Sequence, residues 1–110
     1  MRVEGDSFML PSGQATYVAL VLNELIHNAV EHGLAGDEGE ELTVRVSRDE
    51  DSVRLEVTND GQPLPPDFDV RRDRNLGLQI VESLVRDNLL GDFDISSASG
   101  LTRAVVRFPR

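Results

Sequence analysis

Apolar residues recur at helical spacing in two stretches of the chain, one between residues 12 and 32 and one between residues 76 and 88. Because residues three and four positions apart lie on the same side of a helix, we predict two amphipathic helices. Ser12 is a suitable start for the first helix, and Gly33 is a suitable stop. The predicted buried positions are Val18, Val21, Leu22, Leu25, Ile26 and Ala29 in the first helix, and Leu78, Val81, Leu84 and Val85 in the second.

Four further segments have the apolar and polar pattern of half-buried strands. Residues 42–48 and 53–58 flank an acidic turn at 49–51, and residues 93–96 and 103–108 flank Ser99 and Gly100. Residues 2–10 are expected to form a short edge strand that ends at Leu10-Pro11. Because these strands lie before, between and after the helices, we predict an α+β fold, with an antiparallel or mixed sheet and the helices on one face.

The composition restricts the architecture and the partners. A chain of 110 residues is expected to form a single domain over residues 1–110. The net charge of −9 argues against general binding to nucleic acid or to anionic membranes. Cysteine is absent, which excludes thiolate metal sites and agrees with a cytoplasmic location. Since no apolar run approaches the roughly 20 residues of a membrane helix, we expect no membrane segment in this chain.

Three polar residues lie on one line of the first helix, beside its apolar stripe. Glu24, Asn28 and His32 are four residues apart, so their side chains lie one above another. A carboxylate and an amide at the edge of a core cost desolvation free energy unless a partner pairs with them, which favours a ligand or metal site. On this segment alone, however, a solvated helix face is the simpler interpretation.

Two downstream segments change that balance. Asn59-Asp60-Gly61 follows a predicted strand, and Gly77 lies at the start of the second helix. Taken singly, the first segment is an ordinary turn and Gly77 only interrupts the start of a helix. Together with residues 23–29 and a late Thr102, these segments resemble the ATP-binding catalytic domain of bacterial sensor histidine kinases, in the superfamily shared with DNA gyrase, Hsp90 and MutL. The resemblance covers nearly the whole chain and implies a two-layer α/β sandwich, the Bergerat-type ATP-binding fold.

The resemblance also implies roles for individual residues. Asn28 corresponds to a ligand of Mg²⁺, which prefers hard oxygen donors. Glu24 corresponds to the catalytic acidic residue that orients a metal-bound water or the phosphoacceptor, although an ordinary surface carboxylate stays possible. The arginines between Gly61 and Gly77 correspond to a lid over the γ-phosphate, or are only solvated. The remaining implied ATP-binding residues are His32, Asn59, Asp60, Gly61, Pro63, Leu76, Gly77, Leu78, Thr102, Arg71, Arg72 and Arg74.

The chain departs from the pattern of this family at four positions. Asn59 replaces an aspartate that accepts the adenine amino proton, so we expect weaker adenine selectivity or a contribution from Asp60. Pro63 replaces a frequent glycine, which implies a stiffer lid entry, and Asn75 replaces the first glycine of a frequent Gly-x-Gly. Glu31 replaces a frequent lysine, so one phosphate contact is lost.

As a whole, the resemblance implies an enzyme that binds ATP and Mg²⁺ and transfers the γ-phosphoryl group to a histidine on a separate dimerisation domain of the parent kinase, with a response regulator downstream. His27 and His32 are the only histidines. We expect neither to be the phosphoacceptor, because both lie on the helix of the nucleotide site. Two alternatives stay open. An anti-sigma-factor serine kinase would be a complete small protein that dimerises by itself, and a degenerate module would use the fold only for protein contacts.

Overall fold

The computed structural model describes residues 2–5, 10, 12–29, 42–59, 76–98 and 101–109. Within these ranges the chain forms five strands and two helices. In chain order they are β1 (Arg2–Gly5), α1 (Ser12–Asn28), β2 (Leu42–Arg48), β3 (Ser52–Asn59), α2 (Leu76–Asp87), β4 (Asp92–Ala98) and β5 (Leu101–Pro109).

The strands form one mixed sheet in the order β1-β2-β3-β5-β4. Strand β1 pairs with β2 in parallel, and the other neighbours are antiparallel. The predicted α+β class and mixed sheet are confirmed, and β1 is an edge strand as expected. Strand β5 inserts between β3 and β4, so the centre of the sheet joins segments far apart in the sequence.

One face of the sheet packs against the helices and holds the core. Val44, Val57 and Ala104 are cross-strand neighbours on this face, and all three are buried. The predicted stripes of both helices bury against them, with Leu22, Ile26 and Leu84 only partly buried at the margins. The remaining buried apolar residues of the core are Val18, Val21, Leu25, Ala29, Leu42, Val53, Leu55, Leu78, Val81, Val85, Leu89, Ile95, Val106 and Phe108.

The boundaries differ from the prediction mainly at the first strand. Strand β1 ends at Gly5, and Leu10 lies outside any strand. Gly5 has φ of +123°, and a Cβ at this position would meet the Val46 carbonyl oxygen, so this paired position requires glycine. The predicted continuation of the first helix beyond residue 29, and of the first strand through residues 6–9, lies outside the described residues.

The opposite face of the sheet is polar and buries one carboxylate. The Glu56 side chain is only 7% exposed, and its carboxylate lies 2.6 Å from Arg54 Nη1, 3.6 Å from Arg103 Nε and 3.9 Å from Arg45 Nη1. Arg45 also donates a hydrogen bond of 2.9 Å to Glu4 on β1. Because a buried carboxylate is costly unless it is paired, these arginines offset its desolvation and link four strands.

The turn between β2 and β3 is stabilised by a single carboxylate. Asp49 Oδ1 accepts hydrogen bonds from the backbone N–H groups of Asp51, at 2.8 Å, and Ser52, at 2.7 Å. The Ser52 hydroxyl is also within hydrogen-bond distance, at 3.1 Å. These donors favour the ionised form, so they hold the pKa of the Asp49 carboxyl below its ordinary value.

We therefore expect the stability provided by Asp49 to depend on pH. With a lower pKa in the folded state, its contribution is complete above the ordinary carboxyl pKa and is lost as pH falls through the folded-state pKa. Asp49→Ala should reduce the free energy of unfolding more at pH 7 than at pH 3, as measured by urea titration. Glu50→Ala, in the same turn, is the control. An Asp49→Ala deficit of equal size at both pH values would contradict the expectation.

Candidate functional site

Asn59 is a buried polar residue on the helix-facing side of the sheet, at the end of β3. It is 4% exposed, and it stands in the same row of alternating positions as the buried Val57 and Leu55. Within the part of the chain that the structure describes, its Nδ2 atom is buried and makes no hydrogen bond. A buried amide donor without a partner costs about 1–3 kcal/mol. Such a group is suited to a ligand that supplies the missing acceptor.

Asn59 has two buried neighbours across the sheet. Thr102 of β5 is its cross-strand partner on one side, and Leu42 of β2 is its partner on the other. Both are buried, so the three residues form a continuous floor. The sheet therefore brings two predicted site residues, Asn59 and Thr102, side by side. Leu42 was not among the predicted site residues. The turn at residues 49–51, which sets the β2–β3 register, was the signal that could have identified it.

The orientation of α1 follows from a hydrogen bond at its start. Gln14 Nε2 donates to the Pro109 carbonyl oxygen at 3.2 Å, so the first turn of α1 lies at the end of β5. From Gln14 to Asn28, α1 rises about 21 Å. From Pro109 to Thr102, β5 extends about 23 Å in the return direction. Because Ala29, next to Asn28, is still buried in the core over the sheet, we infer that α1 runs along β5 and that Asn28 lies at the same end of the domain as Thr102.

Glu24 lies one helical turn before Asn28, and both side chains are half-buried. On the same helix, Leu25 and Ala29 are buried in the core. This places the carboxylate and the amide at the margin of the apolar face, as the spacing predicted. His32 lies outside the described residues.

The start of α2 belongs to the same end of the domain. Helix α2 ends at Asp87, and after four residues β4 begins at Asp92, which pairs with Arg107 near the last residues of β5. The end of α2 therefore lies near the last residues of β5, and its first turn lies toward the other end of that strand, where Thr102 is. Leu78 of this turn is buried, and Gly77 is half-buried. Backbone N–H groups at a helix start favour anions, and Gly77 has no side chain to obstruct their approach. Leu76 is the first residue of this helix.

Several predicted site residues fall in parts of the chain that the structure does not describe. This applies to the three lid arginines, to the predicted residues directly after Asn59, and to three of the four departures from the family pattern. They are Glu31, His32, Asp60, Gly61, Pro63, Arg71, Arg72, Arg74 and Asn75. The described geometry thus concerns Glu24, Asn28, Asn59, Leu76, Gly77, Leu78 and Thr102, whose roles stay predictions.

The donors at this end are compatible with a nucleotide and its metal ion. The unpartnered amide of Asn59 and the hydroxyl of Thr102 suit a purine edge, and the start of α2 suits phosphate. Among the described residues there is no group of three or more His, Cys, Asp or Glu side chains that could hold a metal. Mg²⁺ at a nucleotide site takes only one or two ligands from the protein besides phosphate and water, so the absence of a larger cluster is compatible with the predicted Asn28 ligand.

Neither α1 nor α2 has the length and apolar character required to cross a membrane. The larger part of both helix surfaces outside the core is polar or exposed.

Comparison with known proteins identifies the family of the chain. Residues 13–110 match the family described as histidine kinase-, DNA gyrase B-, and HSP90-like ATPase. The sensor histidine kinase PdtaS of Mycobacterium tuberculosis is 37% identical over 108 residues, which are 96% of this chain and 21% of that protein. The PdtaS of Mycolicibacterium smegmatis is 36% identical over 109 residues. The chain spans about a fifth of the length of these relatives.

Solved structures agree with this assignment. The histidine kinase domain of the Erythrobacter litoralis EL346 blue-light activated histidine kinase has a TM-score of 0.86 and 26% identity, covering 98% of this chain and 50% of that chain. Histidine kinase ThkA, in its complex with response regulator protein TrrA, has a TM-score of 0.73 at 24% identity, a likeness of fold alone. It covers 98% of this chain and 33% of that chain. This chain belongs to the family of histidine kinase-, DNA gyrase B-, and HSP90-like ATPases.

Proposed function

We propose that this chain is the ATP-binding catalytic domain of a two-component sensor histidine kinase. In this proposal it transfers the γ-phosphoryl group of ATP to a histidine on a separate dimerisation domain of the parent protein. The observation that supports it most is the buried, unpartnered Asn59 amide beside Thr102, at the end of the domain where α1 ends and α2 begins. The relatives named as sensor histidine kinases favour this function over an anti-sigma-factor serine kinase.

In the proposed site each described residue has one task. Asn59 and Thr102 hold the purine, and the backbone around Gly77 faces the phosphates. Asn28 provides an amide oxygen for Mg²⁺, and Glu24, one turn earlier, orients the acceptor imidazole or a bound water. When bound, Mg²⁺ neutralises charge on the phosphate oxygens. Transfer forms a bond from the imidazole nitrogen to the γ-phosphorus and breaks the bond to the bridging oxygen of the departing ADP.

The proposal extends to partners and location. The phosphoacceptor histidine and a downstream response regulator are its protein partners, and the residues around Glu24 would face the acceptor. We place the domain in the cytoplasm, which agrees with the absence of cysteine from the sequence. Because this chain corresponds to about a fifth of the PdtaS length, the acceptor domain is sought in the parent protein.

Removal of the Asn28 amide should weaken magnesium-dependent ATP binding. We expect the wild-type chain to bind ATP more tightly with Mg²⁺ than without it, in calorimetric titrations. Asn28→Ala should lower the Mg²⁺-dependent affinity at least tenfold, about 1.4 kcal/mol, because the metal loses its protein oxygen. Asn23→Ala is a matched control, since Asn23 is an exposed asparagine of the same helix.

A transfer assay tests the reaction itself. With γ-labelled ATP and the dimerisation domain of the parent protein, the label should appear in acid-labile, base-stable phosphohistidine. Acid-stable phosphoserine would instead favour the serine kinase. Absence of ATP binding by the wild-type chain, or equal binding with and without Mg²⁺, would contradict the proposal.

A further inference from the structure

The floor of the proposed nucleotide site contains an amide, although the 6-amino group of adenine requires only a hydrogen-bond acceptor. Asn59 is 4% exposed, and its Nδ2 is a buried donor that makes no hydrogen bond within the described part of the chain. A carboxylate at this position would only accept hydrogen bonds. An amide presents one donor group and one acceptor, and a half-turn about its last torsion exchanges their positions.

This difference decides which purine edges fit. Adenine presents a 6-amino donor beside the N1 acceptor, so it pairs with the oxygen and nitrogen of an amide. A 6-oxo purine presents the reverse, an O6 acceptor beside an N1–H donor, and it pairs with the same amide after the half-turn. A carboxylate accepts from the 6-amino group but faces O6 with a second acceptor, which is repulsive. The buried Nδ2 of Asn59 therefore removes the feature that would exclude a 6-oxo purine.

The neighbouring residues add no selectivity of their own. Thr102, the cross-strand partner of Asn59, has a hydroxyl that can donate or accept. Leu42, the partner on the other side, is apolar and buried. Val57 and Ala104, the next residues along this face, are also buried and apolar. Among these floor residues no charged group favours one purine edge over the other.

We propose that Asn59 is the specificity-determining residue of this site and that the domain accepts 6-oxo purine nucleoside triphosphates as well as ATP. This inference rests on the proposed function, because it concerns the phosphoryl donor of the same site. Its chemical prediction is relaxed selection at position 6 of the purine, with a single residue responsible for it.

The test compares ATP with inosine triphosphate, which has O6 and N1–H but lacks the 2-amino group of guanine. Calorimetric titrations with Mg²⁺ are made on the wild-type 110-residue chain and on Asn59→Asp. In the wild type, the dissociation constant for inosine triphosphate should lie within about tenfold of that for ATP. Asn59→Asp should raise the preference for ATP by about ten- to a hundredfold, because the carboxylate keeps one charge-assisted hydrogen bond with the 6-amino group and faces O6 with a second acceptor.

Thr58→Asp is the matched control. It adds the same charge one residue earlier, on the opposite face of the sheet beside Arg103, so it should leave the nucleotide preference unchanged. The wild-type ratio is itself decisive, even if Asn59→Asp fails to fold. Binding of ATP with more than hundredfold exclusion of inosine triphosphate overturns this inference and leaves the proposed function intact. An unchanged preference in folded Asn59→Asp also overturns it. Binding of neither nucleotide overturns both proposals.

Discussion

Gly91→Ala is expected to destabilise the domain by about 3 kcal/mol or more. A Cβ at this position would lie 2.0 Å from the Arg107 carbonyl oxygen and 2.8 Å from Phe108 Cα. Both are backbone atoms of β5, so the clash cannot be relieved by rotating a side chain. A native domain is stable by only about 5–15 kcal/mol, so a loss of this size is a large part of the total.

The close approach at Gly91 results from how α2 is joined to the sheet. The Gly91 N–H donates to the Val85 carbonyl oxygen at 2.8 Å, which closes the end of the helix. Leu90, just before it, has φ of 59°, an uncommon conformation for a bulky residue. Phe108, which Gly91 approaches closely, is 1% exposed. An alanine at position 91 would therefore separate the α2–β4 connection from a fully buried part of the core.

Gly13→Ala is the matched control for this substitution. Gly13 is exposed in α1, and a Cβ there would meet nothing within 4 Å. Because alanine favours the helix over glycine, we expect this variant to be more stable by up to about 1 kcal/mol. Urea unfolding followed by circular dichroism measures both variants. A Gly91→Ala protein as stable as the wild type would mean that β5 moves aside at little cost.

Much of the fold was predictable because its signals are local. The stripe of Val18, Val21 and Leu25 predicts a helix with a buried face, and the structure buries those residues. Alternation along residues 42–48 and 53–58, with a turn between them, predicts a hairpin, and the structure extends the second strand by one residue at each end. Such periodicities arise from backbone geometry, so they can be recognised without the rest of the chain.

Features that depend on strand order were not predictable. Glu56 occupies a polar position of an alternating strand, which indicates exposure, yet it is buried. Its partner Arg45 comes from the hairpin neighbour β2, whereas Arg103 comes from β5, which flanks β3 only because β5 inserts into the sheet. The adjacency of Asn59 and Thr102 has the same origin. Their roles were implied by resemblance, whereas their spatial pairing follows from the sheet.

Asn59→Leu is expected to raise the stability of the domain while abolishing ATP binding. The substitution removes the buried Nδ2 donor that lacks a partner, and leucine has a similar volume beside the apolar Leu42. Because a buried donor without a hydrogen bond costs about 1–3 kcal/mol, we expect a gain of about 1 kcal/mol in the free energy of unfolding without nucleotide. Loss of the hydrogen bonds to the purine should weaken ATP binding at least about a hundredfold.

The opposite signs of these two effects separate recognition from folding. A variant that is more resistant to urea cannot have lost ATP binding by unfolding, so calorimetry and urea titration on one sample suffice. Thr58→Val, a substitution of similar size on the opposite face, should leave ATP binding unchanged. If Asn59→Leu is instead less stable than the wild type, the Asn59 amide stabilises the free domain. The buried Asn59 amide would then carry no free-energy cost in the absence of a ligand, contrary to our expectation.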